Sequence, residues 1–586
     1  MLFYDFEVFK YDWLVVIIDV INRCKHVVVN EPDKLQSIYD DSRSDIWVGY
    51  NSRHYDQYVL KGILCGFDPK KVNDHIIVKQ KPGWMFSSLL NKIPLNNFDV
   101  FNIATDKGLK VHEGFMGNSI KESSVPFNID RKLTEAELEE TIEYCTHDVE
   151  QTIEVFIKRK EEFESQMALI KVFKLPISYI SKTKVQLAAI ILDAKKKSHN
   201  DEFELEFPDT MKVLKYKEVV NWYRNPLNRD YDKELKIDIA GVPHVFAWGG
   251  LHGALPKYSG EGIFLNVDVA SYYPALMIEY NWGSRNLSDP TKFRQIRDMR
   301  LKYKAEKNPL QAPLKIVING TYGAMKDQNN ELYDPRQANN VCVGGQLLLL
   351  DLIERLEGHC QLIQSNTDGL LLKLQSIDDY DLIDDICYEW EQRTRMELEF
   401  DLFTKVYQKD VNNYVIVSED GSYKSKGAYV KELGELDYDL PIVNSAVIDY
   451  FIKGIHPEVT ITSCNDLKEF QKIVKVSSKY THALYSPKVT EEKIRVEGKL
   501  KTIKVFTGGQ VQKEKCFRVF ASKDAADGGL FKVKTAEKNP EKFALTPDQC
   551  FIENGDVNGM RVSRKLDKSW YVDMAIKRLN DFGVVI

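Results

Sequence analysis

The sequence predicts a chain of several domains, of mixed α/β and α+β class, and three observations carry that expectation. At 586 residues the chain exceeds the ~250–300 residues at which a single hydrophobic core stops growing, so roughly three to five domains or subdomains are expected. Apolar content of 43% and charged content of 28% are ordinary for a globular protein. Short apolar runs of strand character (Trp13–Ile18, Ile46–Tyr50, Ile263–Val269) alternate with stretches of helical periodicity such as Thr134–Lys158.

Composition excludes several classes. No apolar run approaches the ~20 residues needed to span a membrane. The N-terminus, Met1-Leu2-Phe3-Tyr4-Asp5-Phe6-Glu7, carries acids where a secretion signal carries bases. Nine cysteines without a Cys-x-x-Cys pair argue for reduced thiols in a cytoplasm and against structural zinc. The net charge of −7 conceals segregation: Lys488–Arg518 holds nine Lys/Arg against four Glu, and Asp378–Asp401 ten acids against two Arg. Either run alone reads as a solvated face, but distribution matters more than the total for a nucleic-acid partner.

Residues 1 to about 165 read as a first α/β domain. Asp5 and Glu7, two positions apart in a strand, point to one side. Asn51-Ser52-Arg53-His54-Tyr55-Asp56 follows the strand Ile46–Tyr50, and Tyr144 and Asp148 share a helix face at i, i+4. The ordered set Asp-x-Glu, Asn-x-x-x-Tyr-Asp and Tyr-x-x-x-Asp resembles the three exonuclease motifs of proofreading DNA polymerases, which sit on an RNase H-like fold. The resemblance implies that Asp5, Glu7, Asp56 and Asp148 hold two divalent ions ~3.5–4 Å apart for attack by water on a phosphodiester, with Tyr144 orienting the water. Asn97-Phe98-Asp99 is a rival for the second motif, but it lacks the intervening residues, so Asp56 is preferred. Asn118-Ser119-Ile120-Lys121 reads either as a single-strand contact, by analogy with that family, or as a helix start with Ser119 as N-cap.

Residues 166–262 say less. Lys182–Lys197 looks helical and Asn225–Leu235 loop-like. Ala247-Trp248-Gly249-Gly250 reads equally as a turn or, by its likeness to the Tyr-Gly-Gly motif of related phage enzymes, as a place where Gly249 and Gly250 let backbone approach a DNA phosphate.

Asp268 lies in the apolar run Ile263–Val269. A buried, unpartnered carboxylate costs several kcal/mol, so Asp268 needs a partner, and a metal ion is one candidate. Asp268-Val269-Ala270-Ser271-Tyr272-Tyr273-Pro274 resembles motif A of family B DNA polymerases. Next, Ser288-Asp289-Pro290 reads as a helix start, with Asp289 as N-cap and Pro290 first in the helix. Arg297, Arg300 and Lys304 form one basic stripe on the helix that follows, which stops before Asn308-Pro309. A second helix starting near Pro313 carries Lys315, Asn319 and Tyr322 on one face, and Lys-x-x-x-Asn-x-x-Tyr-Gly is similar to motif B, with Gly320 where Ser is usual. Two antiparallel helices presenting Arg300, Lys304 and Lys315 would make a socket for a triphosphate. Cys360–Leu374 reads as a hairpin with Asn366-Thr367-Asp368-Gly369 at its turn. It resembles motif C, usually Asp-Thr-Asp-Ser, with Asn366 and Gly369 as departures; the resemblance makes Asp368 the metal ligand shared with Asp268. Tyr414 and Ser425-Lys426-Gly427 are similar to the family's Lys-x-Tyr and Lys-Gly segments near the primer end, with Asn412 replacing Lys.

The resemblance spans nearly the whole chain. It implies an RNase H-like 3′–5′ exonuclease domain (1–165), a linker and first part of the palm (166–283), fingers (284–338), a second part of the palm (339–435) and a thumb (436–586) of a right-hand polymerase. The expected enzyme is a DNA-directed DNA polymerase with proofreading. Asp268, Asp368 and the Val269 carbonyl would hold two Mg²⁺, with Mn²⁺ able to substitute, and Tyr273 would exclude a 2′-OH. Asn319 and Tyr322 would line the base-pair pocket. Primer-template DNA and dNTPs are the expected partners, with replisome proteins beyond them and no membrane. Because the first exonuclease motif begins at residue 5, the N-terminal domain of larger members is missing, which suggests a bacteriophage enzyme in the host cytoplasm. The gaps between Pro274 and Lys315 and between Gly323 and Asp368 leave no room for an added subdomain of ~40 residues, so no terminal protein is expected as primer. The alternative, motivated by Asn366, is a nucleic-acid-binding protein with exonuclease activity only and a decayed polymerase site.

Overall fold

The computed structural model describes residues 1–101, 107–496, 499–535 and 539–586. Strands β1 (Leu2–Val8), β2 (Trp13–Asp19), β3 (Cys24–Val29), β4 (Ile46–Gly49) and β5 (Asn96–Asp99) form a first sheet in the order β3-β2-β1-β4-β5. β2 runs antiparallel to β1 and β3, and β4 parallel to β1 and β5. The period-2 geometry of β1 divides its side chains between two cores. Leu2, Tyr4, Phe6 and Val8 pack with Val59, Leu60 and Ile63 of the helix Asp56–Leu64. Phe3 packs on the other face with Cys145, Val149 and Phe156 of the helix Glu135–Lys158. Asp5 and Glu7, alternating with the first set, therefore face the helix that carries Tyr144 and Asp148. That helix starts at a reciprocal cap: Thr134 N donates to Glu137 Oε2 at 2.8 Å and Glu137 N to Thr134 Oγ1 at 3.3 Å, worth about 1 kcal/mol.

A second sheet is built from β6 (Leu235–Ile239), β7 (Val242–Phe246), β8 (His252–Ala254), β9 (Tyr258–Val269), β10 (Gln361–Asn366), β11 (Gly369–Leu374), β12 (Leu398–Asp410), β13 (Asn413–Val417) and β14 (Tyr423–Lys426), in the order β14-β13-β12-β9-β11-β10-β8-β7-β6. Every neighbouring pair is antiparallel. Between β9 and β10 the chain makes four helices, Tyr272–Glu279, Lys292–Ala305, Gln311–Lys326 and Pro335–Leu356. The last is buried along nearly its whole length. Several of its polar side chains find partners outside the helix: Asn339 Nδ2 donates to the Glu202 carbonyl at 2.8 Å, Gln346 Nε2 to the Ala247 and Gly249 carbonyls at 2.8 and 2.7 Å, and Arg393 to Asp351.

Several local expectations are corrected. The helix that carries the basic stripe begins at Lys292; Asp289 Oδ1 accepts from Thr291 N and Oγ1 at 2.8 and 2.7 Å, closing a turn one step earlier. Ser119 caps no helix: the helix Leu109–Met116 ends at Gly117, whose φ is 84°, and irregular chain follows. The expected Lys182–Lys197 helix stops at Ile191, since Asp193 adopts a φ of 50°. Asn225–Leu235 is loop as expected, with one 3₁₀ turn, Pro226–Asn228, and Leu235 opening β6.

Beyond β14 come helices Pro441–Lys453 and Lys568–Asp581, small antiparallel sheets, and the hairpin Lys488–Val496/Lys499–Thr507. Residues 497–498, inside the basic run, lie outside the described residues. All nine cysteines are free thiols. Among the described residues no helix is long and apolar enough to cross a membrane.

One packing contact gives a direct test of this arrangement. A Cβ on Gly344 would stand 2.4 Å from Cζ3 of Trp282, an indole only 2% exposed. Gly344→Val should therefore destabilise the protein by about 3 kcal/mol through overpacking, read as a fall in thermal melting temperature; an unchanged melting temperature contradicts the packing described.

Candidate active sites

The first site lies on the first sheet. β1 presents Asp5 and Glu7, the helix Asp56–Leu64 presents Asp56 from its first residue, and Glu135–Lys158 presents Asp148 and, one turn earlier, Tyr144. Phe6 N donates to Asp56 Oδ1 at 3.2 Å, and Cys145 Sγ to the Asp5 carbonyl at 3.3 Å. All four acids are raised above the ordinary carboxylate range. Burial is the first cause in each; for Asp5 and Glu7, repulsion among the four follows. Asp56 is pushed up to about 7 and Asp148 to about 6. Burial, and after it Asp148, also raises Tyr144. The rival Asp99 has both oxygens taken by main-chain donors, Arg53 N and Phe101 N, each at 3.0 Å, which makes it a turn-capping acid.

Sequence reasoning missed Lys110. It sits in the first turn of Leu109–Met116, half-enclosed, and its Nζ meets Asp148, Glu113 Oε1 at 3.0 Å and the Tyr144 ring 4.6 Å from its centroid. It is the largest influence pulling Asp148 down against burial, with a smaller one from His147. The available signal was Lys110 and Glu113 at i, i+3, a spacing that pairs on a helix. Asn118 Nδ2 donates to Gln151 Oε1 and Glu154 Oε2 at 2.8 and 2.6 Å, an internal role.

The second site lies at the C-terminal end of β9. The register sets Asp268 opposite Gly369 of β11 on one side and Glu399 of β12 on the other, and Val269 N donates to the Asp368 carbonyl at 2.7 Å. Asp268 is raised by burial and then by Asp368, against an opposing hydrogen bond from Asn266 Nδ2 at 2.7 Å. Tyr273, Arg300, Lys315, Asn319, Tyr322 and Asp368 all line one cleft of about 360 Å³. The rings of Tyr273 and Tyr322 meet with centroids 4.4 Å apart. Arg300 is 8% exposed, and its Nε is buried without a hydrogen-bond partner. Lys304 does not join them; it is exposed, one turn nearer the tip of the helix pair. Tyr414 flanks the two acids, which add to the effect of burial in raising it, and Lys426 lies opposite it across the β13/β14 pair, exposed.

The departures from the motifs have local reasons. Asn366 Oδ1 accepts from Thr367 N at 2.9 Å and so shapes the turn that offers Asp368. A Cβ on Gly369 would stand 1.9 Å from Asp268 Oδ1 and 2.9 Å from the Val267 carbonyl, so the Asp268 carboxylate occupies the space a serine would need. Gly250 is constrained within the protein: a Cβ there would stand 2.3 Å from Thr367 Oγ1. Gly249 has open space around it.

No protein-family model matches the chain. In sequence it is similar to DNA polymerase 1 of Saccharolobus solfataricus, 24% identical over 277 residues, which cover 39% of this chain and 30% of that protein. The chain thus matches less than a third of the length of this curated relative. In structure it is similar to the family B DNA polymerase of the hyperthermophilic archaeon Pyrobaculum calidifontis, with a TM-score of 0.40 and 14% identity over 100% of this chain and 78% of that one.

The geometry of the sites yields two expectations. Asp56 and Asp148 release their protons later in the folded protein than in the unfolded chain, so between about pH 4 and pH 7 the folded state binds more protons and stability falls as pH rises. Melting in a chelator should be lower at pH 8 than at pH 5, and Asp56→Asn should narrow the difference; equal melting at the two pH values would contradict the clustered charge. Separately, a Cβ on Gly369 would meet Asp268 Oδ1, so Gly369→Ser should destabilise the protein by about 1–3 kcal/mol, read as a fall in melting temperature; an unchanged melting temperature would show that the site tolerates the Cβ.

Proposed function

We propose that the chain is a family B, template-directed DNA polymerase that adds deoxynucleotides to a primer 3′ end, with a 3′–5′ proofreading exonuclease, working in phage DNA replication. The observation that carries the reading is the cleft beside Asp268, where aromatic, cationic, amide and carboxylate side chains from four separate elements converge. The similarity to a curated DNA polymerase points the same way.

The donor sets suit hard divalent cations, because each acid offers carboxylate oxygen and burial raises Asp5, Glu7, Asp56, Asp148 and Asp268. Asp268, Asp368 and the Val269 carbonyl would hold two Mg²⁺, or Mn²⁺, in one site; Asp5, Glu7, Asp56 and Asp148 would hold two in the other. Bound there, the ions would activate the attacking oxygen and neutralise phosphate charge. Arg300 and Lys315, which line the cleft, meet the triphosphate. Tyr273, braced by Tyr322, closes the space that a 2′-OH would enter. Asn319 and Tyr322 border the nascent base pair, and Tyr414, Lys426 and the backbone at Gly249 face the primer-template. In the hydrolytic site Tyr144 orients water and Lys110 offsets charge beside Asp148. An ordinary nucleic-acid primer suffices, without a terminal protein.

Extension of an annealed DNA primer with dNTPs and Mg²⁺, and degradation of single-stranded DNA, test the two sites separately. Asp368→Asn should reduce extension by roughly 10³-fold or more and spare degradation; Asp5→Ala with Glu7→Ala should do the reverse. Extension lost in both folded variants would refute two separate sites. A wild-type chain that degrades DNA but never extends a primer would leave the nuclease-only reading.

A further inference from the structure

Lys110 is carried by an eight-residue helix, Leu109–Met116. A helix that short has little stability of its own, and what holds it comes from the other end of the chain. Arg518 is fully buried. Its Nη2 donates to the carbonyls of Gly114 at 3.2 Å and Asn118 at 2.6 Å, its Nε to Gln471 Oε1 at 3.1 Å, and its Nη1 to the carbonyls of Glu553 at 3.2 Å and Gly555. Gln471 Nε2 donates to the Phe115 carbonyl at 3.1 Å and Lys468 Nζ to the Met116 carbonyl at 2.7 Å. Cys516 Sγ reaches the Lys110 carbonyl itself at 3.5 Å.

The last carbonyls of a helix have no intrahelical partner, and cations there oppose the helix dipole favourably. Here the Glu113 carbonyl accepts from the main chain of Asn118, and those of Gly114, Phe115 and Met116 accept from side chains of residues 468–518. The approach is close enough that a Cβ on Gly114 would stand 2.8 Å from Ile473 Cδ1. Filling the space with a guanidinium is costly where an apolar side chain would also pack. A guanidinium brings a fork of five donors, matched here to carbonyls of the Lys110 helix and of the 553–555 loop.

We propose that Arg518, with Gln471 and Lys468, is a positioning set for the hydrolytic site: it holds the Lys110 helix in place, so that Lys110 meets Asp148 only while the C-terminal region is docked on the first domain. This rests on the hydrolytic reading proposed above. A shift of residues 468–557 would draw Lys110 away from Asp148 and lower the rate of hydrolysis without touching the carboxylates.

The test measures degradation of single-stranded DNA by the full chain. Arg518→Met should lower kcat roughly 10- to 100-fold with KM held within about twofold, while primer extension stays within about twofold and reports that the protein is folded. Gln471→Leu should act in the same direction more weakly, and it carries the comparison if Arg518→Met does not fold. In a Lys110→Met background either variant should add little, because both act through one ammonium group. Amide hydrogen exchange across 109–116 should quicken while β1 stays protected. Losses that multiply in the Lys110→Met background, or a Gln471→Leu protein whose extension falls as far as its hydrolysis, would overturn the inference and leave the proposed function standing. A wild-type chain without nuclease activity would overturn the hydrolytic reading, and this inference with it.

Discussion

The pairing of β9 along both of its edges is the constraint on which the second site depends. β11 and β12 flank it, and the register with β11 brings Gly369 opposite Asp268. The tight turn before Gly369 then delivers Asp368 beside Asp268, and Val269 N secures the Asp368 main chain. A one-residue slip would turn Asp268 to the other face of the sheet and undo the site. Two glycines make the approach possible: Gly369 leaves room for the Asp268 carboxylate and Gly250 for Thr367. The turn and the strand it meets are thus fitted by the absence of side chains as much as by their presence.

Electrostatics sets the two acidic sites apart. In the first sheet Asp5, Glu7, Asp56 and Asp148 share a desolvated space, and Lys110 sits on the Asp148 side, paired with both Asp148 and the buried Glu113. Asp5 and Glu7 lie next to their fellow acids and are raised well above the ordinary range. Burying so much like charge costs stability in the free protein. The arrangement makes sense where an arriving cation offsets the cost. In the second site Asp268 lies beside Asp368, and Arg300 and Lys315 on the helix pair line the cleft together with Asp368. Negative and positive groups there face a shared space, as a ligand with its own anionic groups and bound cations would require.

Local periodicity made much of this legible from sequence. Strand alternation put Asp5 and Glu7 on one face, and helical spacing put Tyr144 with Asp148 and Lys315 with Asn319 and Tyr322. These relations span a few residues and follow from backbone geometry alone, so β1, β2 and β4 of the first sheet, the hairpin β10/β11 and the two helices that carry Arg300 and Lys315 were readable as elements, whereas β3, β5 and the helix Tyr272–Glu279 were not. Boundaries failed where a side chain competed with the helix, as at Asp289, or where one residue took a left-handed conformation, as at Asp193 and Gly117.

What the sequence by itself determined is therefore the set of chemical groups and the face each takes within its own element. Tertiary structure alone decided which groups meet. Lys110 is a first-turn lysine like many others until residues 468–518 hold its helix against Asp148. Arg518 counts toward a basic run, yet it is fully buried and bonded to a carbonyl 404 positions away. Lys304 shares a sequence stripe with Arg300 but lies outside the cleft that Arg300 lines. Charge counts cannot separate a solvated cation from a buried one, because the difference lies in neighbours brought by packing from distant parts of the chain.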